Sequence, residues 1–167
     1  LIDELRNVGY NVLLPYSVLN AADYGVPQDR RRLFLMGSRH GESMPAYPKP
    51  LESKVSVAEA INDLPDADSF EILFERDWVR ADWSTEADYA RKLRGISNDS
   101  TDYGYDRVFD KQILSSSART KHTPKSQERF RATEHGQTEP VSRFRKLPPD
   151  GLCNTLRAGT DSARGAF

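Results

Sequence analysis

Residues 19–37 constrain the fold more than any other part of this 167-residue chain. A turn-rich stretch, residues 20–27, leads into the alternating pattern Gln28-x-Arg30-x-Arg32 and then into an apolar run. Residues two apart share a face of an extended strand, so Gln28, Arg30 and Arg32 are predicted to project together. One amide and two guanidiniums on one face form a donor-rich surface suited to phosphates or to the polar edge of a base. A solvated strand edge is the alternative, and these three residues alone do not decide between the two.

The flanking residues predict a β-hairpin around this pattern. Residues 10–19 are rich in apolar, aromatic and β-branched side chains and predict one strand, and residues 33–38 predict its partner. Residues 2–8 carry apolar side chains at helical spacing and are followed by Gly9, which predicts the end of a helix. A hairpin without further strands beside it leaves unpaired edges, which favours self-association.

A change of organisation is predicted after the hairpin. Residues 45–50 include three prolines and should lack regular structure. Residues 56–59 form a capping-box pattern that predicts a short helix ended by Pro65. We place a domain boundary here, with one unit over residues 1–48 and the linker and second unit over residues 49–167.

Two more helices are predicted in the second unit. One is expected to begin at Ser84 or Thr85 and to continue through Leu93. The other is expected to begin at Thr123-Pro124, with proline at the tolerated first position. The remaining segments indicate short strands and turns, so this unit is predicted to be small, irregular α+β.

The net charge of −1 conceals an asymmetry along the chain. Residues 41–110 hold eight basic against sixteen acidic side chains, whereas residues 111–167 hold eleven basic against five acidic. A basic final third is typical of a chain in which one face meets a polyanion. Two solvated surfaces that attract each other would give the same pattern.

Composition narrows the remaining classes of protein. The single cysteine, Cys153, excludes an intramolecular disulfide framework and indicates a reducing compartment. No apolar run approaches the roughly 20 residues that span a bilayer, so we expect no membrane partner. The three histidines are scattered without ligand spacing, and no metal site is expected. We expect a cytoplasmic protein.

The string Asn-Ala-Ala-Asp-Tyr-Gly-Val-Pro-Gln-x-Arg-x-Arg-Leu-Phe-Leu-x-Gly, residues 20–37, resembles the eighth motif block of the DNA (cytosine-5)-methyltransferases. Two further stretches, residues 47–50 and residues 57–65, are similar to the linker that follows this block in many members. Residues 155–160, Thr-Leu-Arg-Ala-Gly-Thr, resemble the Thr-Leu element late in the family's target-recognition domain. Residues 66–111 match poorly.

The resemblance implies roles for particular residues. Arg32 matches the arginine that meets the 2-keto oxygen of the target cytosine, and Arg30 and Gln28 match its neighbours in that pocket. Thr155 matches the threonine associated with the phosphate beside the flipped nucleotide. Arg157 and Gly159 follow it in a loop that could face a groove, because glycine allows a close backbone approach.

The resemblance also implies parts that this chain lacks. The family's Pro-Cys nucleophile, its Phe-x-Gly-x-Gly cofactor loop and its Glu-Asn-Val tripeptide do not occur in the sequence. We therefore expect an internal fragment that is inactive alone, from an enzyme that uses S-adenosylmethionine and double-stranded DNA. The fold expected is α+β, a hairpin remnant of the α/β catalytic domain followed by the target-recognition domain. A non-catalytic DNA-specificity module and an interaction domain that meets an acidic protein are the alternatives.

Overall fold

The computed structural model of the chain describes residues 1–97, 110 and 112–155. Within these residues four short α-helices alternate with three two-stranded antiparallel sheets, which is a mixed α+β arrangement. The helices are α1 (Ile2–Asn7), α2 (Val57–Ile61), α3 (Asp88–Leu93) and α4 (Pro124–Ala132). The strands are β1 (Tyr10–Val12), β2 (Ser17–Asn20), β3 (Arg31–Phe34), β4 (Gly37–Arg39), β5 (Val79–Arg80) and β6 (Ile113–Leu114). Short 3-10 helices cover Ala21–Tyr24, Ala67–Ser69 and Glu71–Phe74.

The predicted hairpin is present, but each of its long strands is divided in two. β1 pairs with β4, and β2 pairs with β3, with Val18 opposite Leu33 and Asn20 opposite Arg31. The prediction of one continuous strand over residues 10–19 is therefore wrong. Pro15 interrupts it because proline has no backbone N–H to donate to a ladder.

The turn between β2 and β3 is built by its own side chains. The Asn20 side-chain oxygen accepts hydrogen bonds from the backbone N–H of Ala22 at 3.3 Å and of Arg30 at 3.0 Å. The 3-10 helix Ala21–Tyr24 follows and ends at Gly25, whose φ of 82° is the left-handed conformation that glycine adopts readily. Ala22 is fully buried, so this turn is folded inward.

Two of the three helix starts predicted downstream are confirmed. α2 has the full capping box, in which Ser56 and Glu59 bond each other's backbone N–H groups. α4 begins after Thr123, whose hydroxyl accepts from the N–H of Ser126, with Pro124 as its first residue. Residues 45–50 form no regular structure, as predicted.

The predicted start of the second helix is wrong by a few residues. α3 begins at Asp88 after Ala87, and no side chain caps it. The hydroxyl of Thr85, predicted as a cap, instead donates to Asp63 at 2.6 Å. Asp63 also accepts from Arg94 at 2.9 Å, and these two side chains are largely buried. The Thr85 hydroxyl, which the local sequence pattern predicted to cap the helix, therefore bonds Asp63 instead.

The main hydrophobic cluster lies in the second unit. Leu73, Val79 and Leu114 are buried together, and Phe70 and Trp83 pack against them among others. The hairpin contrasts with this cluster, because the cross-strand pair Val18 and Leu33 is 59% and 60% exposed. Among the described helices, none has the length and apolar character needed to cross a membrane.

The last described segment contacts both α2 and the connection between β2 and β3. The carbonyls of Pro149 and Gly151 accept hydrogen bonds from the N–H groups of Ala58 and Val57 at the start of α2. Residues 149–155 therefore run alongside the beginning of α2 and on toward the turn between β2 and β3. The domain boundary near residue 48 stays a prediction.

Candidate nucleic-acid interface

Two distant parts of the predicted site lie side by side. Gln28 forms a parallel bridge with Cys153, in which Cys153 donates its N–H to the carbonyl of Pro27 at 2.9 Å. The N–H of Asp29 donates in turn to the carbonyl of Cys153 at 2.8 Å. The Thr155 hydroxyl then donates to the carbonyl of Asp29 at 3.2 Å, across 126 residues of sequence. The backbone thus holds Gln28 and Thr155 in one neighbourhood.

Gln28 and Arg30 precede β3, whereas Arg31 and Arg32 lie in it, and their side chains differ in what they contact. Arg31 lies 3.9 Å from the carboxylate of Asp29 in an exposed ion pair. Arg32 uses one guanidinium N–H to bond the backbone carbonyl of Arg31 at 2.7 Å. The side chains of Gln28 and Arg30 make no hydrogen bond or ion pair within the described part of the chain. The side-chain donors of Gln28 and Arg30 are therefore available to a ligand.

Asn20 is a supporting residue to which the sequence pattern assigned no role. Its amide nitrogen donates to the Asp29 carboxylate at 2.8 Å, while its oxygen accepts from the Arg30 N–H. One side chain thereby ties the end of β2 to the residues that precede β3. Its position just before a short helical turn is a typical capping signal, and that signal could have identified it.

Thr155 is the last described residue of the predicted set. Its hydroxyl has one proton, which is given to the Asp29 carbonyl, and the oxygen remains an acceptor. Arg157 and Gly159, predicted beside it, lie outside the described residues.

The basic final third contains structural as well as exposed cations. Lys146 donates to the carbonyls of Phe130, Arg131 and Thr133 at the C-terminal end of α4, with the shortest distance of 2.9 Å to Thr133. Arg129 donates from Nε to the buried carboxylate of Glu139 at 3.0 Å. Among the other cations of this region, five are exposed and form no ion pair or side-chain hydrogen bond with described residues: Lys121, Lys125, Arg131, Arg143 and Arg145.

Glu139 is the most deeply buried charged residue described, with 2% of its surface exposed. Hydrogen bonds from Ser142, first from its hydroxyl and then from its backbone N–H, lower the pKa of Glu139 to about 2. The Val141 N–H and the charge of Arg129 also lower this pKa, whereas burial opposes them. The carboxylate is therefore ionised at neutral pH and fully hydrogen-bonded.

Comparison with known proteins places this geometry in a family. The family described as C-5 cytosine-specific DNA methylase matches residues 1–154. The chain belongs to this family. The match includes Gln28, Arg30 and Arg32 and stops one residue before Thr155.

The relatives of this chain are longer than the chain itself. It is 55% identical over 166 residues to the Type II methyltransferase M.XorII of Xanthomonas oryzae pv. oryzae, covering 99% of this chain and 39% of that protein. It is 26% identical over 186 residues to the DNA (cytosine-5)-methyltransferase PliMCI of Paracentrotus lividus, covering 93% of this chain and 10% of that protein. The chain therefore spans well under half the length of these relatives.

A solved structure supports the fold of the methylase chain. A candidate DNA modification methyltransferase encoded within a prophage of E. coli superposes with a TM-score of 0.63 at 25% sequence identity. The superposition covers 92% of this chain and 45% of that protein, so it includes both the hairpin and most of the second unit.

Proposed function

We propose that the intact protein containing this chain transfers a methyl group from S-adenosylmethionine to carbon-5 of cytosine in double-stranded DNA. Membership of the C-5 cytosine-specific DNA methylase family supports this reaction. The observation that carries the proposal for this chain is the pairing of residues 27–29 with residues 153–155. It brings Gln28, proposed to line the cytosine pocket, close to Thr155, proposed to contact the DNA backbone.

The proposed reaction requires a pocket that binds the target cytosine outside the duplex. A cytosine inside a duplex has to leave the base stack before an enzyme can reach its ring. We propose that Arg32 donates to the 2-keto oxygen of the extruded cytosine, and that Arg30 and Gln28 line the same pocket. A guanidinium there also stabilises the negative charge that develops on the ring when a thiolate adds to carbon-6.

Arg32 can serve this role with a modest rearrangement. A guanidinium has five N–H donors, and the contact with the Arg31 carbonyl uses one of them. Thr155 is proposed to contact the phosphate beside the flipped nucleotide, after its hydroxyl turns away from the Asp29 carbonyl. Arg157 and Gly159 are proposed to continue this contact along the DNA.

The nucleophile and the cofactor are assigned to other parts of the intact protein. S-adenosylmethionine supplies the methyl group when it is bound. The sequence contains neither the Pro-Cys dipeptide nor the Phe-x-Gly-x-Gly loop, and Cys153 follows a leucine. We propose that residues 1–48 end the catalytic domain, that residues 49–167 form the linker and target-recognition domain, and that this chain alone is inactive. We also propose that the protein works in the bacterial cytoplasm at the nucleoid.

The products of methylation test this proposal directly. The intact protein is incubated with duplex DNA and S-adenosylmethionine, and the nucleosides are then identified by mass spectrometry. We expect 5-methylcytosine. DNA that is bound but carries no 5-methylcytosine would favour the non-catalytic specificity module instead.

A further inference from the structure

The 136–146 hairpin is a second exposed feature of the basic region. Near its base the Gly136 N–H donates to the carbonyl of Lys146 at 2.7 Å, and the Lys146 N–H donates to the carbonyl of Gln137 at 2.9 Å. Thr138 forms an antiparallel bridge with Arg145. The N–H of Glu139 donates to the carbonyl of Phe144 at 2.8 Å. Residues 140–143 form the turn at its tip.

This hairpin is anchored to α4 at several points. Lys146 bonds the carbonyls at the end of α4, and Arg129 of α4 bonds the Glu139 carboxylate. The rings of Phe130 and Phe144 also lie 6.2 Å apart between the two elements. These contacts fix the hairpin against α4.

The tip itself is held by the buried Glu139 carboxylate. Its two oxygens accept from the N–H groups of Val141, at 3.1 Å, and of Ser142. The Arg143 N–H closes the turn on the Glu139 carbonyl at 2.8 Å, and the Ser142 hydroxyl accepts from the N–H of Phe144. The backbone that carries the tip residues is therefore fixed before any ligand arrives.

Arg143 is the residue that this turn presents. Its backbone φ of 62° lies in the left-handed region, which residues other than Gly, Asn and Asp seldom adopt. The side chain is exposed and makes no hydrogen bond or ion pair with any described residue. The hairpin's acid at this end, Glu139, is buried and neutralised by Arg129, so the exposed tip is positive.

We propose that the 136–146 hairpin enters the major groove of DNA and that Arg143 reads a guanine there, an inference that rests on the proposed function. The major groove admits a two-stranded ribbon, and an arginine fork on guanine O6 and N7 is the commonest specific contact in it. A base-reading contact needs a side chain held at a fixed point, whereas phosphate contacts tolerate long flexible cations. Arg143 lies on an anchored turn and therefore suits a base-reading contact. Lys125, in the first turn of α4, is a long exposed cation of the kind that suits a phosphate contact.

The test uses the intact protein and a random-sequence duplex library selected by binding, with 5-methylcytosine measured in parallel. Arg143→Gly removes the fork and suits the left-handed backbone, so a failure to fold does not confuse the result. Arg143→Lys keeps the charge and removes the fork geometry. Lys125→Ala is the matched control, because it removes one exposed charge from the same region.

Both Arg143 variants are expected to lose the preference for one G·C pair by roughly 5- to 150-fold while keeping the rest of the bound motif. Lys125→Ala is expected to keep the whole motif and to weaken binding to all sequences alike. The assignment is overturned if Arg143→Lys keeps that preference, if Arg143→Gly weakens every position equally, or if the unaltered protein selects no motif. A selected motif without 5-methylcytosine contradicts the proposed reaction but still reports on Arg143.

Discussion

At the scale of single residues, two cations of the basic final third and one buried carboxylate are held by specific atoms of the fold. Lys146 donates to the carbonyl of Thr133 at the end of α4, and Arg129 donates to the carboxylate of Glu139. Those partners lie ten or more residues away and leave no short-range pattern, so no spacing rule could reveal them.

Glu139 supports a prediction about acid stability. Because its pKa in the folded chain is about 2, below the ordinary value of 4.5, its contribution to stability is complete above about pH 4.5. That contribution is lost as the pH falls through the interval from about 4.5 to about 2. Glu139→Gln should lower the melting temperature at neutral pH and flatten its fall across this interval, measured by circular dichroism.

The control for this prediction is Glu128→Gln, which changes an exposed carboxylate on α4. It should leave the curve close to that of the unaltered chain. An acid profile of Glu139→Gln that is parallel to the unaltered one would contradict the role assigned to this carboxylate.

At the scale of elements, local signals located helix starts wherever the cap was local. The capping box before α2 and the Thr123-Pro124 start of α4 depend on residues within one turn, and both predictions are confirmed. The start of α3 was misplaced because Thr85 bonds Asp63, 22 residues away. The hairpin strands were expected to be longer than they are because hydrophobic pattern outweighed the single break at Pro15.

The β1–β4 ladder supports a prediction about packing. A Cβ added at Gly37 would lie 2.5 Å from the carbonyl oxygen of Asn11, which is backbone and cannot swing aside. Gly37→Ala should therefore destabilise the chain by about 1–3 kcal/mol in urea unfolding. Ser38→Ala in the same strand is the control, and an equally small effect of both changes would show that the close approach does not matter.

At the scale of the whole molecule, the closeness of Gln28 and Thr155 could be expected only through resemblance to a family. The two segments are joined by backbone hydrogen bonds between residues 27–29 and residue 153. Such bonds do not depend on side-chain type, so the amino-acid sequence does not reveal them. Composition predicted a basic final third. Only the structure shows which of its cations are bound within the fold, as Lys146 and Arg129 are, and which are exposed. The fold class followed from the alternation of short helical and strand patterns.

The exposed pair Val18 and Leu33 supports a prediction about assembly. Apolar side chains on an unpaired hairpin tend to be covered by another chain. We expect the 167-residue chain alone to self-associate in sedimentation experiments, and Leu33→Ser to shift it toward monomer. Val141→Ser changes an exposed apolar side chain on the other hairpin and should have little effect. A purely monomeric unaltered chain would contradict this expectation.

Arg32 is proposed to contact the target cytosine, whereas no such contact is proposed for its neighbour Arg31. The most direct measurement is the rate of 5-methylcytosine formation by the intact protein with Arg32→Ala and, as the matched control, Arg31→Ala. Loss of a donor that meets developing charge should lower the rate for Arg32→Ala by roughly 100- to 1000-fold. Arg31→Ala, which removes only an exposed ion pair at 3.9 Å, should remain within a few-fold of the unaltered rate. Equal rates for the two variants would contradict the assignment of this face to the cytosine.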